Sequence, residues 1–402
     1  MNASLLQTTA ERHLPAALDL LRRLVAINSF TANAAGVDAV ARLTAEAFAP
    51  LGFAAELVPC TVPGAGHHLF LTHRGNGGDP VVLVTHSDTV FPPEEEQRND
   101  FKWDERPDEG RIYGPGTVDI KGGTALIWLI LHMLRDCAPE AFAQTHWLVA
   151  ANAAEEVTGD DFGHATAERC AGKARAVLVF EGGPVDERGW HIVTSRKGRS
   201  TWQLTAEGKA AHAGSKHHEG VNAIDALARV LPEIAALTDA AQERTVNIGH
   251  IHGGTVVNRV PHEALAEWEC RAFDPKALQQ ADDFFSALSG TAANGAKLIA
   301  ERTGHTAAWP GSIESEALFH LWHEAAAAMN VTALSVPRGG LSDANHLWQL
   351  APTLDGLGPD GGNAHCSERA ADGSKLPEFV KPDTFVPKAV LNALALLKLV
   401  AH

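Results

Sequence analysis

Three short apolar runs constrain this chain most. "VVLVT" (81–85), "HWLVAAN" (146–152) and "ARAVLVFEGG" (174–183) have strand length and almost no polar alternation, as strands buried on both faces do. Between the first two lies "GGTALIWLILHMLRDC" (122–137), long enough for a helix and apolar nearly all round. Strand, helix, strand predicts an α/β fold: a mainly parallel sheet flanked by helices. After about residue 194 the texture changes. "STWQLTAEG" (200–208) and "HEALAEWECRAFD" (262–274) alternate with period two, and amphipathic helices are expected at 221–237 and 277–293. That order predicts an inserted ferredoxin-like α+β domain at 194–306, with residues 1–193 and 307–402 forming the two parts of the α/β domain. From 312 the helical, apolar texture returns in "ESEALFHLWHEAAAAM" and "PKAVLNALALLKLVAH".

The apolar runs share a second property. The first ends in His86 and Asp88, the second leads into Glu155 and Glu156, and the third ends in Glu181. In open α/β sheets, sites form beyond the carboxyl ends of the strands. Gly-rich loops add Asp119 in "GRIYGPGTVDIKGG" and His365 in "GPDGGNAHCSER". Each piece alone is commonplace: a polar strand cap, a solvated acid pair, a turn-forming aspartate. Together, two histidines and several carboxylates exceed what one zinc ion needs, and they suit a pair of ions sharing a carboxylate. Asp88, two residues from His86, is expected to lie behind it and hold its ring nitrogen. Glu155 and Glu156 are adjacent and should point apart, leaving one to ligate and the other to take a proton from water. "GGLSDA" (339–344) approaches a serine nucleophile elbow but ends in Ala344 and follows a segment broken by Pro337. It is read instead as the start of a helix whose N–H groups hold a substrate anion.

Composition excludes other classes. The net charge of −16 and the lack of a Lys/Arg cluster argue against nucleic acid. Five scattered cysteines without a CxxC fit a reducing, cytoplasmic setting. No membrane span is expected, on the reading that no window reaches ~18 uncharged apolar residues.

The motifs "THSDTV", "GPGTVDIKGG", "AAEEVTG", "FEGG", "GKAAHAG", "GGTVVNRVP" and "GGNAH", in that order, resemble the co-catalytic zinc aminoacylase and carboxypeptidase family. Its members include glutamate carboxypeptidases, acetylornithine deacetylases and succinyl-diaminopimelate desuccinylases. The resemblance spans nearly the whole chain. It implies a zinc-exopeptidase-like catalytic domain, with the inserted domain serving as lid and homodimer interface. It also implies two divalent metal ions per chain, zinc first, with cobalt or manganese also suiting the donors. By this resemblance His86, Asp119 and Glu181 ligate one ion. Asp119, Glu156 and His365 ligate the other, with Asp119 bridging and the Asp119–Ile120 peptide bond cis. Glu155 is the general base and Asp88 the carboxylate behind His86. His212 of the partner subunit stabilises the oxyanion, while Asn258 and Arg271 contact substrate, Arg271 through a free carboxylate.

Glutamate rather than aspartate at 181 accompanies acylases and carboxypeptidases in the resembling family. The implied reaction is hydrolysis of an amide next to a free-carboxylate amino acid in a small N-acyl amino acid or short peptide. A glutamate-carboxypeptidase-like activity is the first expectation. N-acyl-amino-acid deacylation, or a catalytically silent metal-binding relative, are the alternatives. A base beside Glu156 favours an enzyme over the silent form. Cys366, next to His365, is read as a packed thiol.

Overall fold

A computed structural model describes residues 3–76, 78–157 and 159–401. The chain divides into two compact units. One comprises Met1–Thr194, Gly311–Pro337 and Ser342–His402; the other comprises Ser195–Pro310 and Arg338–Leu341.

The first unit is built on a six-stranded sheet. Its strands, in spatial order, are Ala54–Pro59, His67–His73, Trp147–Asn152, Val81–His86, Ala176–Val179 and Thr353–Leu354. The last four run parallel, and His67–His73 is antiparallel to both neighbours. The parallel strands bury every residue because helices cover the sheet. Helix Lys121–Cys137 buries thirteen of its seventeen residues. It packs with helices Ala3–Val25 and Phe385–Ala401 around Leu21, Leu126, Ile130, Leu391 and Leu396. Its first turn approaches the sheet so closely that a Cβ on Gly123 would lie 2.2 Å from the Phe180 carbonyl oxygen. The glycine pair in "DIKGG" is therefore a packing requirement.

A smaller four-stranded sheet orders Gly361–Gly362, Phe379–Val380, Arg111–Tyr113 and Asp104–Arg106. It brings the two ends of the 363–378 loop together, close to the Asp119 loop.

The inserted unit is ferredoxin-like. Its sheet runs Thr245–Gly253, Glu263–Ala272, Gly198–Glu207, Lys297–Thr306, Gly290–Thr291, all antiparallel. Helices Ala223–Ala235 and Pro275–Ser286 bury Leu227, Ile234, Leu278 and Phe285 against one face, on Trp202, Leu204 and Trp268.

Two expectations need correction. The helix expected through residue 293 ends at Ser286, and Gly290–Thr291 instead forms a short edge strand, with Gly290 at a φ of 152° that no helix adopts. The expectation that no segment is apolar enough to cross a membrane also fails: Pro382–Ala401 has that length and composition. Its Phe385, Lys388, Leu391, Asn392 and Leu396 are nevertheless buried in the fold, as in the core helix of a globular domain.

Candidate metal centre

Strand ends and two loops assemble the centre. The Val81–His86 strand leaves His86 fully buried at its carboxyl end. Glu155 and Glu156 sit on a single 3-10 turn, Glu155–Val157, just past the Trp147–Asn152 strand. Glu181 follows Ala176–Val179. Asp119 precedes the Lys121–Cys137 helix, and the Asp119–Ile120 bond is cis. His365 comes from the loop between Gly361–Gly362 and Phe379–Val380, at a left-handed φ of 65°. A non-glycine residue there carries a local conformational cost of about 1–3 kcal/mol.

Asp119 lies between the two histidines. Its Oδ1 is 3.0 Å from His86 Nε2, and its Oδ2 is 3.2 Å from His365 Nε2. Glu181 Oε1 lies 3.8 Å from His86 Nε2, and Glu156 Oε2 lies 3.2 Å from His365 Nε2. Two groups of three result, His86–Asp119–Glu181 and Asp119–Glu156–His365; within each, the donor atoms fall within 4.8 Å of one another. Glu155 is set apart from the triads, its Oε2 4.0 Å from His86 Nε2. The structure thus brings together the five residues expected as ligands and the residue expected as base.

The electrostatics fit divalent cations. Burial, together with the charges of Glu181, Asp343 and Glu156, pushes Glu155 well above the usual carboxylate range. Burial and the neighbouring Asp119 also raise Glu156. Burial works against a charged His86, yet hydrogen bonds to Asp119 and Asp88 hold its pKa well above normal. Hydrogen bonds to Asp119 and Glu156 raise His365 to about 11. Glu156 is crowded toward holding a proton, whereas Asp119, hydrogen-bonded to both histidines, is held below the usual carboxylate range. Nitrogen and oxygen donors in two triads sharing one carboxylate are what a pair of zinc-like ions requires.

Asp88 does more than sit behind His86. The His86 Nδ1 is 3.0 Å from the Asp88 backbone carbonyl and 3.3 Å from its Oδ1. The carboxylate also accepts the Thr31 hydroxyl (2.6 Å) and the backbone N–H groups of Glu155 (3.2 Å) and Glu156 (3.3 Å). It ties the His86 strand end to the turn that carries the acid pair.

Several supporting residues escaped the sequence reading. Glu378 is fully buried, and its Oε1 accepts the N–H groups of Val118 and Asp119 (2.9 and 3.1 Å). Burial and the adjacent Asp119 push it to about 8. Asn152 accepts the Ala154 N–H and donates to buried Asp343 at 2.6 Å. Nothing in "KLPEFV" or "LSDANH" marks these residues, because their partners lie 191 to 260 positions away.

The segment after Leu341 corrects the anion-site reading. Ser342 and Asp343 lead into a single turn, Ala344–Leu347, and the N–H groups of 342, 344, 345 and 346 are all taken by local acceptors. The Ser342 hydroxyl is buried, donates to Asp355 (2.6 Å) and accepts the Ala344 N–H (3.1 Å), which gives it a structural role in this segment. Cys366 is half-buried, with Sγ 3.8 Å from the Glu368 carbonyl.

The remaining expected residues lie in the inserted unit. Exposed His212 accepts the N–H groups of Gly214 and Ser215 on Nδ1 (3.1 and 3.2 Å). That leaves Nε2 to carry a proton and act as a donor. Asn258 lies on the adjoining segment, its carbonyl accepting the Ala213 N–H at 3.0 Å. Arg271 is engaged: its guanidinium pairs with both oxygens of Glu269 (2.9 and 3.0 Å) and with the Gly339 carbonyl.

Comparisons with known proteins agree with this architecture. Residues 194–296 match the M20 peptidase dimerisation domain. Acetylornithine deacetylase of Pectobacterium carotovorum is 31% identical over 268 residues, 62% of this chain. The match spans 65% of that relative's length. Among solved structures, aminopeptidase PepT from Bacillus cereus superposes with a TM-score of 0.77 at 22% identity, covering 97% of this chain and 99% of its own. The M20 family metallo-carboxypeptidase Sso-CP2 from Sulfolobus solfataricus superposes with a TM-score of 0.70 at 17% identity, covering 96% and 99%. The resemblance read from the motifs and the expected α/β fold with an inserted domain both hold.

Proposed function

We propose, for a chain that carries the M20 peptidase dimerisation domain within a fold shared with M20 metallopeptidases, that it is a metal-dependent amidohydrolase acting on N-acyl amino acids. The observation that carries this reading is Glu155: a largely but not fully buried carboxylate beside the two donor triads yet outside both, as a base needs to be.

His86, Asp119 and Glu181 would hold one divalent ion, and Asp119, Glu156 and His365 the other. Bound there, the ions would polarise a water molecule and the substrate carbonyl. Glu155 takes the proton from the attacking water and passes it to the leaving amine. Asp88 and Glu378 fix the backbone from which the base and the shared carboxylate project. His212 of the partner subunit, with its Nε2 proton, donates to the developing oxyanion.

The dimer is part of the proposal. Strand Thr245–Gly253 pairs on one side only among the described residues, and Ile251, Val256 and Val257 are exposed beside that edge. An unpaired strand edge with apolar neighbours suits pairing with a second copy. A cytoplasmic location remains part of the same reading.

A glutamate-carboxypeptidase-like activity was the first expectation. The 31%-identical deacetylase favours deacylation instead. Arg271 pairs with Glu269, and because N-acyl amino acids and peptide C-termini both present a free carboxylate, it does not separate the two readings. A zinc-supplemented panel of N-acetyl and N-succinyl amino acids, aryl-glutamates and free-amine dipeptides tests the choice. Turnover of the acyl amino acids supports deacylation. Turnover of aryl-glutamates alone restores the carboxypeptidase reading, and turnover of dipeptides alone overturns both.

A further inference from the structure

A third group of donor residues lies outside the centre described above. Cys60, His68 and Asp161 place one donor atom each within 4.8 Å of one another. The group has the composition of a metal site, but its hydrogen bonds point elsewhere. His68 Nδ1 accepts the backbone N–H of Ala153 at 3.1 Å. A neutral imidazole that accepts on Nδ1 carries its proton on Nε2. Asp161 Oδ2 lies 3.2 Å from Nε2 but out of line for a hydrogen bond, and with the proton on Nε2 that nitrogen has no lone pair to offer a cation. Asp161 is also committed, since the same Oδ2 accepts the Thr61 N–H at 2.6 Å. Burial raises the Cys60 thiol to about 11, which keeps it protonated.

What His68 does follows from strand register. Strands His67–His73 and Trp147–Asn152 pair as far as Leu69 opposite Ala151. One step further the second strand bends away toward the turn that carries the acid pair. There the backbone ladder stops, and the His68 side chain takes the next donor, the N–H of buried Ala153. The three following N–H groups are held in the same way, Ala154 by Asn152 and those of Glu155 and Glu156 by Asp88. Four consecutive amides are thus pinned by side chains, and His68 holds the first. Its ring is fully buried, tilted 48° against Phe162 at 5.4 Å, and Phe162 stacks on Phe70. The acceptor is therefore held in place by packing.

We propose that His68 is a positioning residue for the Glu155–Glu156 turn: by fixing the Ala153 N–H where the sheet ends, it sets where the base stands relative to the two donor triads. The role rests on the amidohydrolase reading for its catalytic consequence but not for its structural one. Small displacements of a reacting group are costly, about 10²-fold in rate for 1 Å.

The test uses the full-length, zinc-loaded protein and two substitutions. His68→Leu keeps a buried apolar side chain and removes the acceptor. His68→Asn replaces the ring but offers Oδ1 close to the position of Nδ1. We expect His68→Leu to lower kcat about 10- to 100-fold with KM within about threefold. Amide hydrogen exchange of the peptide covering 153–157 should accelerate at least tenfold. His68→Asn should restore both to within about threefold of the parent. Equal exchange in the parent and His68→Leu proteins overturns the proposal, as does Asn behaving like Leu. If neither the parent nor the variants hydrolyse any acyl amino acid while the exchange pattern holds, the enzyme reading fails and the positioning role stands. Should His68→Leu not fold, the nitrogen chemical shifts of His68 in the parent decide. The Nε2–H tautomer, unmoved by excess zinc, supports the proposal. A zinc-dependent shift at Nε2 overturns it and makes the group a cation site.

Discussion

Replacing Asp88 by Asn changes one atom and removes an arrangement that no rotamer restores. The carboxylate accepts from four directions: Oδ1 from the Glu155 N–H and close to His86 Nδ1, Oδ2 from the Thr31 hydroxyl and the Glu156 N–H. An asparagine amide has one accepting oxygen. With its NH2 in the Oδ2 place, the Thr31 hydroxyl can rotate to accept, but the Glu156 N–H faces another donor. With the amide flipped, the Glu155 N–H is left instead. Either way one backbone donor is stranded at a fully buried side chain, a loss of about 1–3 kcal/mol, and the surviving bonds lose their charge-assisted strength. We expect metal-free Asp88→Asn to be about 2–4 kcal/mol less stable in urea unfolding. Because the same carboxylate orients His86 and the Glu156 turn, zinc affinity should fall about 10- to 100-fold in a chelator competition. Thr31→Val is the control: it removes one hydroxyl bond, should cost about 1 kcal/mol, and should leave zinc affinity within twofold. The reasoning is refuted if Asp88→Asn matches the parent within about 0.5 kcal/mol, or if Thr31→Val weakens zinc binding as much as Asp88→Asn does.

Glu155→Gln should lower kcat about 10²- to 10⁴-fold while bound metal, measured by elemental analysis, stays at the parent level; loss of metal in parallel would make Glu155 a ligand and not the base. Metal-free protein should lose stability as pH rises from about 6.5 to 8. Burial and Asp119 raise Glu378 to about 8 from 4.5, and hydrogen bonds to Asp119 and Glu156 raise His365 to about 11 from 6.5, so in that window the folded chain holds protons that the unfolded chain has released. Urea midpoints across this range check it, Glu378→Gln should flatten the slope, and a midpoint that rises with pH contradicts the assignment. Ile251→Glu, at a residue 58% exposed beside the unpaired strand edge, should yield monomers in sedimentation and lower turnover with zinc retained; an active monomer would show that His212 of the partner subunit is dispensable.

The sequence by itself carried the fold class and the list of chemical groups. Period and run length are local properties, so the buried parallel strands, the helix at 122–137 and the alternating strands of the insertion could be read directly. The candidate ligand residues were legible because they sit where those local patterns stop, at strand ends and in Gly-rich loops. Tertiary structure decided everything that depends on meeting at a distance. Only folding turns the two Asp119 oxygens toward different histidines, one 33 and the other 246 positions away in the chain. The same holds for Glu378 on the Asp119 backbone, and for His68 and Asp88 on successive amides of the base-bearing turn. It also pairs Arg271 with Glu269, ends a helix at Ser286 that the pattern carried to 293, and buries an apolar terminal helix. A hydrogen bond requires two partners at about 3 Å, and a one-dimensional pattern specifies only one of them.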